Sequence, residues 1–239
     1  MRVLVVTAVP VERDAVTRAF GGTPQVLPVP GGELHRTGAF DVLAGGVGPS
    51  AAAASTAFAL ASAPQPYGLV VSAGIGGGFA PAAPLGSLVV ATEVIAADLG
   101  AETPDGFVPV TALGFGRERF LPPLALVQEV ASATGAATGP VLTVSTVTGS
   151  ARRAAALLAA HPGALAEAME GFGAAEAAGR AGVPVLEVRA VSNAVGPRDR
   201  DAWRIGDALA ALTGAFGKTA PVLEGWTQHD RNHRNDRTG

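Results

Sequence analysis

Apolar runs and mixed polar segments alternate along this chain, and the alternation predicts its architecture. Residues 2–8 (RVLVVTA) and 67–73 (YGLVVSA) are short and almost wholly apolar, as expected of strands that are buried on both faces. Pro10 then opens a segment of mixed polarity that reaches Phe20 and carries Glu12 in its first turn, which predicts a helix. Alternating strands and helices indicate a single α/β domain with a central mixed β-sheet flanked by helices.

The other predicted elements continue this alternation. We expect short strands within 25–46, where prolines and glycines interrupt the apolar positions, and an excursion of undefined shape at 100–120. Further strands are predicted at 88–97, 140–146 and 183–191, a short apolar segment at 164–169, and helices at 50–62, 122–134, 150–160, 171–181 and 201–222. Residues 1–225 are expected to form the domain, and the polar tail 226–239 is expected to be disordered.

The composition supports a globular domain and narrows its partners. The chain has 239 residues, of which 48% are hydrophobic, and its net charge of −3 comes without a basic stripe. We therefore expect no nucleic-acid partner. The N-terminus lacks the apolar stretch of a signal peptide, and every long apolar run is broken by glycine or proline, so we expect a cytoplasmic protein without a membrane partner.

The residues that are rare in this chain exclude several kinds of chemistry. There is no cysteine and the only lysine is Lys218, which argues against a thiol nucleophile, a thiolate metal site, a P-loop and a Schiff-base lysine in the core. The four histidines show no metal-ligand spacing. We expect neither a metal nor a cofactor, and catalysis that relies on carboxylates, arginine, amides, hydroxyls and the backbone.

One long stretch of the sequence is electrically neutral. From Val42 to Thr92 there is no Asp, Glu, Lys, Arg or His, and two glycine-rich turns, 45–50 (GGVGPS) and 74–78 (GIGGG), each follow a predicted strand. Open α/β sheets bind ligands at such turns, although a buried core with tight turns is the alternative. Residues 46–51 also match a dinucleotide fingerprint, but no acidic residue follows at the spacing that holds a ribose, so a nicotinamide or flavin is not expected.

Three polar residues near predicted strand ends are candidates for chemistry. Glu12 can take a proton from water, or it can be a first-turn glutamate stabilised by the helix dipole. Glu170 can accept hydrogen bonds from the vicinal diol of a ribose, or it can be an exposed cap. Asn193 can pair with the N7 and O6 edge of a 6-oxopurine, or it can bond the backbone of its own turn.

Four motifs in order resemble one family, the nucleoside phosphorylase/nucleosidase superfamily, and specifically its methylthioadenosine/S-adenosylhomocysteine nucleosidase branch. They are TAVPVE (7–12), SAGIGG (72–77), AMEG (168–171) and VRAVSN (188–193). The resemblance covers roughly residues 1–225. It implies a nucleosidase that acts on a small-molecule purine nucleoside, and a homo-oligomer, with a dimer favoured.

The resemblance also implies roles for single residues. Glu12 would be the base that activates water, Met169 would pack on the ribose, and Glu170 would bind its hydroxyls. The base pocket would include Gly74, Ile75 and Gly76, and Ser192 would also bind the substrate. Asn193 stands where adenine-specific members carry an aspartate that protonates the purine. Because an asparagine donates to N7 or O6 but cannot transfer that proton, it favours hypoxanthine over adenine.

Two segments are similar to one particular nucleosidase of this branch. They are EAMEGFG (167–173) and SNAVGPRDRDAW (192–203), and they imply an inosine-like substrate with a carboxyphenyl ketone arm on its 5′ side. In this interpretation Arg198 or Arg200 binds the carboxylate of the arm, and Trp203 stacks on its aryl ring. The alternative is a cluster of surface salt bridges in this loop.

Three other functions are compatible with the sequence. A phosphorylase of the same fold needs arginines for phosphate, but Arg13 is the only basic residue beside the first turn. A nucleoside-binding protein without catalysis would explain the missing acid, although Glu12 and Glu170 argue against it. An adenine-type nucleosidase is disfavoured by Asn193.

Overall fold

The computed structural model describes residues 1–30 and 32–235, in which the predicted strands and helices alternate as expected. The strands are β1 (Arg2–Thr7), β2 (Gln25–Val29), β3 (Gly32–Thr37), β4 (Phe40–Ala44), β5 (Tyr67–Gly78), β6 (Leu88–Ala96), β7 (Gly100–Thr103), β8 (Gly106–Pro109), β9 (Arg119–Phe120), β10 (Ala137–Thr143), β11 (Ala166–Ala168) and β12 (Val185–Ala194). The helices are α1 (Pro10–Ala19), α2 (Pro49–Ser62), α3 (Leu124–Thr134), α4 (Ala151–Ala160), α5 (Gly171–Arg180) and α6 (Ile205–Asn235).

The main sheet is mixed and has the order β11-β10-β6-β12-β5-β1-β4-β3-β2, with β9 added to β6. Strand β1 runs parallel to β4 and β5, and β12 runs parallel to β5 but antiparallel to β6. Strand β11 pairs with β10 and also, antiparallel, with β5, so that five strands close into a ring. The predicted class, a single α/β domain with a mixed central sheet, is confirmed.

Helices cover both faces of the sheet, which explains why its central strands are almost wholly apolar. In β1, Leu4 and Val6 join a core cluster that includes Ala59 of α2 and several residues of α5. The alternate residues Val3 and Val5 join a second cluster, built with α1, α3 and α6. All four β1 side chains are fully buried, and each contributes about 1.5–3 kcal/mol of hydrophobic stabilisation.

The glycine-rich segment 74–78 differs from the prediction. The sequence predicted a turn after Ala73, but β5 continues through this segment to Gly78. Glycine is required here by space: a Cβ on Gly78 would collide with the carbonyl oxygen of Ala83, and one on Gly76 would lie 2.8 Å from that of Glu167. The strand therefore tolerates its glycines because neighbouring backbone approaches it closely.

The segment 45–50 is the turn that the sequence predicted. Gly46 and Gly48 both have a φ of +91°, a conformation that residues with a side chain rarely adopt. Pro49 then begins α2, as its fixed φ favours. This turn brings the N–H of Gly48 to the carboxylate of Glu170.

Two other segments are more regular than expected. Residues 100–120 contain the antiparallel pair β7 and β8, and β9, which adds to β6. Helix α6 extends to Asn235 instead of ending near Val222, although Pro221 and Gly225 lie within it. Part of the tail expected to be disordered is thus helical, and 236–239 lie outside the described residues. The domain boundary at residue 225 stays a prediction.

Two kinds of feature are absent from the described residues. No helix in this part of the chain is long and apolar enough to cross a membrane. Nor do three or more His, Cys, Asp or Glu side chains come together there in a group that could hold a metal ion.

Candidate active site

A cavity of about 410 Å³ opens at the carboxyl ends of β1, β5 and β12. Parallel strands end there side by side, which is where sheets of this kind bind ligands. The volume lies within the range of small-molecule sites. The sequence-predicted residues that line the cavity are Glu12, Ile75, Gly76, Met169, Glu170, Ser192, Asn193, Arg198 and Trp203.

Glu12 is almost completely buried, and the backbone holds both of its carboxylate oxygens. Oε2 accepts hydrogen bonds from the N–H groups of Ala8 (2.9 Å) and Val9 (3.2 Å), and Oε1 accepts one from Ile75 (2.9 Å). Burial raises the pKa of Glu12 above its ordinary value, although the Ile75 hydrogen bond and the charge of Arg189 oppose this. A carboxylate with a raised pKa is a better proton acceptor towards water.

Gly74 acts behind this carboxylate and is not among the residues that line the cavity, where the sequence analysis had placed it. A Cβ at this position would lie 2.7 Å from Oε1 of Glu12 and 2.9 Å from Nη1 of Arg189. The absence of a side chain therefore lets two charged groups approach the strand from the same side.

Arg189 connects the buried charges of the site. Its side chain is fully buried, and it donates to Oε1 of Glu187 (2.8 Å), Oε2 of Glu170 (3.3 Å) and Oγ of Ser72 (3.0 Å). Burial alone would lower the pKa of Arg189, but Glu187, Glu170 and Glu12 together raise it. A permanent cation thus stands among three carboxylates.

Arg189 belongs to the motif at 188–193, but the sequence alone predicted no role for it. A signal was present: Glu187 and Arg189 are the two charged residues of this strand, and they stand two positions apart among apolar neighbours. Residues at that spacing project from the same face of a strand. Buried charges are found where they pair, so this spacing predicts an internal ion pair.

Glu170 is buried, which excludes the alternative of an exposed cap. Its Oε1 accepts a hydrogen bond from Gly48 (3.2 Å), and its Oε2 accepts one from the N–H of Met169 (3.3 Å) besides the one from Arg189. Because each carboxylate oxygen has two lone pairs, Oε1 keeps acceptor capacity towards the cavity.

Asn193 lies at the end of β12, where neighbouring groups orient its amide. The Ser192 hydroxyl is 2.9 Å from Oδ1 of Asn193 and 3.2 Å from the carbonyl oxygen of Gly76. Nδ2 donates to the carbonyl oxygen of Ala194 (3.2 Å), as the turn interpretation expected. An amide nitrogen has two N–H groups, so one further donor is available to a ligand.

Glu167 is a cavity residue that the sequence analysis did not single out. Its carboxylate is buried and accepts two hydrogen bonds from Thr148, from the N–H to Oε1 (2.7 Å) and from Oγ1 to Oε2 (2.6 Å). Burial raises the pKa of Glu167, although both bonds from Thr148 act in the opposite direction. Glu167 stands two positions before Met169, and residues at that spacing project from the same face of a strand. The assignment of Met169 to the pocket could therefore have pointed to Glu167 as well.

The loop after β12 forms one wall of the cavity. The guanidinium of Arg198 lies 5.3 Å and that of Arg200 5.8 Å from the ring centre of Trp203. Arg198 and Trp203 line the cavity together with Asp199, whereas Arg200 does not. Of the two arginines considered for the substrate arm, Arg198 is therefore the better placed.

Comparison with known proteins shows the family of this chain. Residues 2–219 match the model of the phosphorylase superfamily. The chain belongs to the phosphorylase superfamily. Two curated relatives of this chain are named futalosine hydrolase. The one from Streptomyces coelicolor is 67% identical over 97% of this chain and 100% of its own length, and the one from Acidothermus cellulolyticus is 45% identical over 89% of this chain and 88% of its own.

Solved structures share the superfamily fold. The native structure of the futalosine hydrolase of Helicobacter pylori strain 26695 superposes with a TM-score of 0.79 at 18% identity, covering 92% of this chain and 97% of its own. The 5′-methylthioadenosine/S-adenosylhomocysteine nucleosidase from Neisseria meningitidis gives 0.76 at 20% identity, with 93% and 97% covered. At such identities the likeness concerns the fold, and the roles of single site residues stay predictions.

Proposed function

We propose that this chain is a nucleosidase that hydrolyses the N-ribosidic bond of futalosine, releasing hypoxanthine and dehypoxanthine futalosine as a step of menaquinone biosynthesis. The full-length 67% identity to a futalosine hydrolase carries the proposal. The cavity supports it, because the segments 167–173 and 192–203, which suggested this substrate, contribute residues to its wall.

Glu12 is the base in the proposed reaction. It takes a proton from water, and the water oxygen forms a bond to C1′ of the ribose as the C1′–N9 bond breaks. The electron pair of that bond leaves with hypoxanthine, which takes up a proton from solvent, and Glu12 afterwards returns its proton to solvent. General-base catalysis contributes about 10²–10⁴-fold to such rates, and positioning and electrostatics supply the rest.

Two further residues act on the sugar. The ribose acquires positive charge in the transition state, and the Glu170 carboxylate is held in place to stabilise that charge and to accept hydrogen bonds from the ribose hydroxyls. Met169 lines the cavity beside it and packs on the sugar.

The base and the 5′ arm have separate partners. The unused N–H of the Asn193 amide donates to N7 or O6 of the leaving hypoxanthine. Arg198 pairs with the carboxylate of the arm, and Trp203 packs against its aryl ring, since both line the same wall. No cofactor takes part in this mechanism.

Water is favoured over phosphate as the nucleophile. Glu12, Glu167 and Glu170 line the cavity and repel an anion. Arg13, the basic residue beside the first turn, pairs instead with Asp14 at 2.9 Å and lies 3.6 Å from Glu33.

The test is to incubate the purified chain with futalosine in phosphate-free buffer and to quantify the products by chromatography. We expect equimolar hypoxanthine and dehypoxanthine futalosine, a rate that added phosphate does not change, and a loss of about 10²–10⁴-fold in Glu12→Gln. A rate that depends on phosphate indicates a phosphorylase, and binding without product indicates a binding protein. Equal rates on methylthioadenosine contradict the 6-oxopurine preference.

We also propose that the enzyme is cytoplasmic, as the sequence pattern led us to expect, and that it is a homo-oligomer with a dimer favoured, as the family resemblance implies. Light scattering after gel filtration tests the oligomeric state, and a mass of one chain contradicts it.

A further inference from the structure

Glu187 is a fully buried carboxylate that the proposed mechanism does not use. It lies on β12, and its Oε1 accepts a hydrogen bond from Nε of Arg189 at 2.8 Å. Its Oε2 has no hydrogen-bond partner among residues 1–30 and 32–235. Burial of an ionised group costs free energy that an apolar side chain would avoid. The presence of a glutamate here therefore requires an explanation from its neighbours.

The Glu187 carboxylate lies directly beneath the first residue of α5. A Cβ on Gly171 would collide with both carboxylate oxygens, so the glycine makes this approach possible. The amino end of a helix carries partial positive charge, which stabilises an anion there. Burial raises the pKa of Glu187, whereas the charge and the hydrogen bond of Arg189 oppose this. The helix end and the guanidinium thus both favour the ionised form of Glu187.

Glu187 and Ser72 together fix the direction of the Arg189 guanidinium. Glu187 accepts from Nε at 2.8 Å, and the Ser72 hydroxyl accepts from Nη2 at 3.0 Å. Because a guanidinium is planar and rigid, these two bonds determine where Nη1 points. Nη1 is directed at Oε2 of Glu170, 3.3 Å away.

The same guanidinium lies next to the proposed base. A Cβ on Gly74 would be 2.9 Å from Nη1 of Arg189 and 2.7 Å from Oε1 of Glu12, so both groups border one small space. The charge of Arg189 acts to lower the pKa of Glu12, which weakens it as a proton acceptor. A cation is also unfavourable beside a ribose that acquires positive charge. An uncompensated Arg189 would therefore slow the proposed reaction.

Two carboxylates share this cation unequally. The distance from Arg189 is 2.8 Å to Glu187 and 3.3 Å to Glu170, so Glu187 makes the stronger ion pair. Glu170 is the less tightly paired of the two. Its negative charge therefore stays available to the ribose.

We propose that Glu187 is a positioning residue for the reaction, which holds the Arg189 guanidinium in place and offsets its positive charge beside Glu12 and the ribose. It acts through Arg189, since it is fully buried and is not among the residues that line the cavity. This inference rests on the proposed function, because it concerns the same reaction.

The test is the pH dependence of kcat/KM for futalosine in the wild-type enzyme and in Glu187→Gln, which keeps the shape of the side chain and removes its charge. Without that charge the field of Arg189 lowers the pKa of Glu12. The fall of kcat/KM on the acid side is therefore expected to move to lower pH by about 0.5–1 unit. We expect the maximal kcat to fall about tenfold, and KM to change less than about threefold because Glu187 does not line the cavity.

The other titratable groups around the base are common to the wild-type enzyme and to every variant of this test. They are Glu170, Arg189, Glu167, Arg13 and Asp14. A shift of the pH profile in Glu187→Gln is therefore due to position 187.

Two further variants separate the charge of Glu187 from its structural contribution. Glu187→Asp keeps the charge but is one methylene shorter, so it holds Nε of Arg189 less well. We expect a lower kcat with the acid-side fall at its wild-type pH. Ser72→Ala removes an uncharged partner of the same guanidinium and is also expected to leave that pH unchanged. If the fall moves equally in all three variants, or in none, Glu187 does not offset the charge and the inference is wrong.

Urea denaturation shows which variants are folded. If Glu187→Gln does not fold, Glu187→Asp is the test, and a folded Glu187→Asp enzyme with wild-type kcat overturns the positioning role. A lower kcat at unchanged KM supports it.

Release of hypoxanthine by the wild-type enzyme is measured first. If none is released, the proposed function fails and this inference fails with it. If hypoxanthine is released and the pH profile of Glu187→Gln is that of the wild-type enzyme, only the inference fails.

Discussion

Gly74→Ala tests the central feature of the site, the close approach of Glu12 to β5. The added Cβ would lie 2.7 Å from Oε1 of Glu12, whereas an ordinary contact begins at 3.4 Å. The carboxylate therefore has to retreat by roughly 0.7 Å, because the position of the Cβ is fixed by the backbone of a central strand. Arg189, at 2.9 Å from the same point, limits how the carboxylate can move.

The size of the effect follows from the bond that is lost. The retreat stretches the 2.9 Å hydrogen bond from the Ile75 N–H to Oε1, and a hydrogen bond to a charged group contributes about 1.5–3 kcal/mol. Misplacing a reacting group by about 1 Å lowers the rate by about 10²-fold. We expect kcat for futalosine to fall by about 10²-fold, and the free energy of unfolding to fall by about 1–3 kcal/mol.

Two quantities are measured: kcat, by chromatography of the products, and the free energy of unfolding, by urea denaturation. Gly139→Ala is the matched control, because its Cβ would lie 2.7 Å from Cγ of Leu165, an equally close contact inside strand β10. Both variants are expected to lose stability, but only Gly74→Ala loses kcat. A folded Gly74→Ala enzyme with normal kcat would refute the reasoning that this glycine makes room for the catalytic base.

Three further predictions concern the arm, the buried cation and pH. Arg198→Ala and Trp203→Ala are each expected to raise KM for futalosine about tenfold with kcat changed only a few-fold, and a loss confined to kcat would contradict their assignment to the arm. Arg189→Met leaves Glu170 and Glu187 without their cation, so urea denaturation is expected to show that the free energy of unfolding falls by about 3–5 kcal/mol. An unchanged free energy of unfolding would show that the fold does not depend on this cation. Only ionised Glu12 accepts a proton, and burial raises its pKa above the ordinary 4.5. As the pH is lowered, kcat/KM is therefore expected to begin to fall at a pH above 4.5. A pH–rate profile in which this fall begins below pH 4.5 would assign it to another group.

Local sequence determined the elements and part of the site. The apolar run of β1 followed by Pro10 and the first turn of α1 places Glu12 just beyond a strand end, since all of these features lie within a few residues. Gly46 and Gly48 likewise predicted a turn because their positive φ is a local requirement. Asn193 at the end of the last strand was predicted in the same way.

Other features follow from packing between distant segments, which local patterns do not encode. The role of Gly74 depends on Glu12 and Arg189 meeting at one strand, and the extension of β5 to Gly78 depends on backbone that approaches from elsewhere. Glycine clusters suit a turn or a crowded strand equally well, so the sequence favoured the commoner interpretation.

The register of the sheet is the clearest case of information that only the tertiary structure supplies. A period of two shows which face of a strand a residue occupies, but not which residue lies opposite on the next strand. That Glu167 and Asn193 both pair with Gly77 was therefore decided by the closed ring of strands. The sequence by itself determined the kind of chemistry available, carboxylates and amides without thiols, and the tertiary structure decided which of these groups face each other across the cavity.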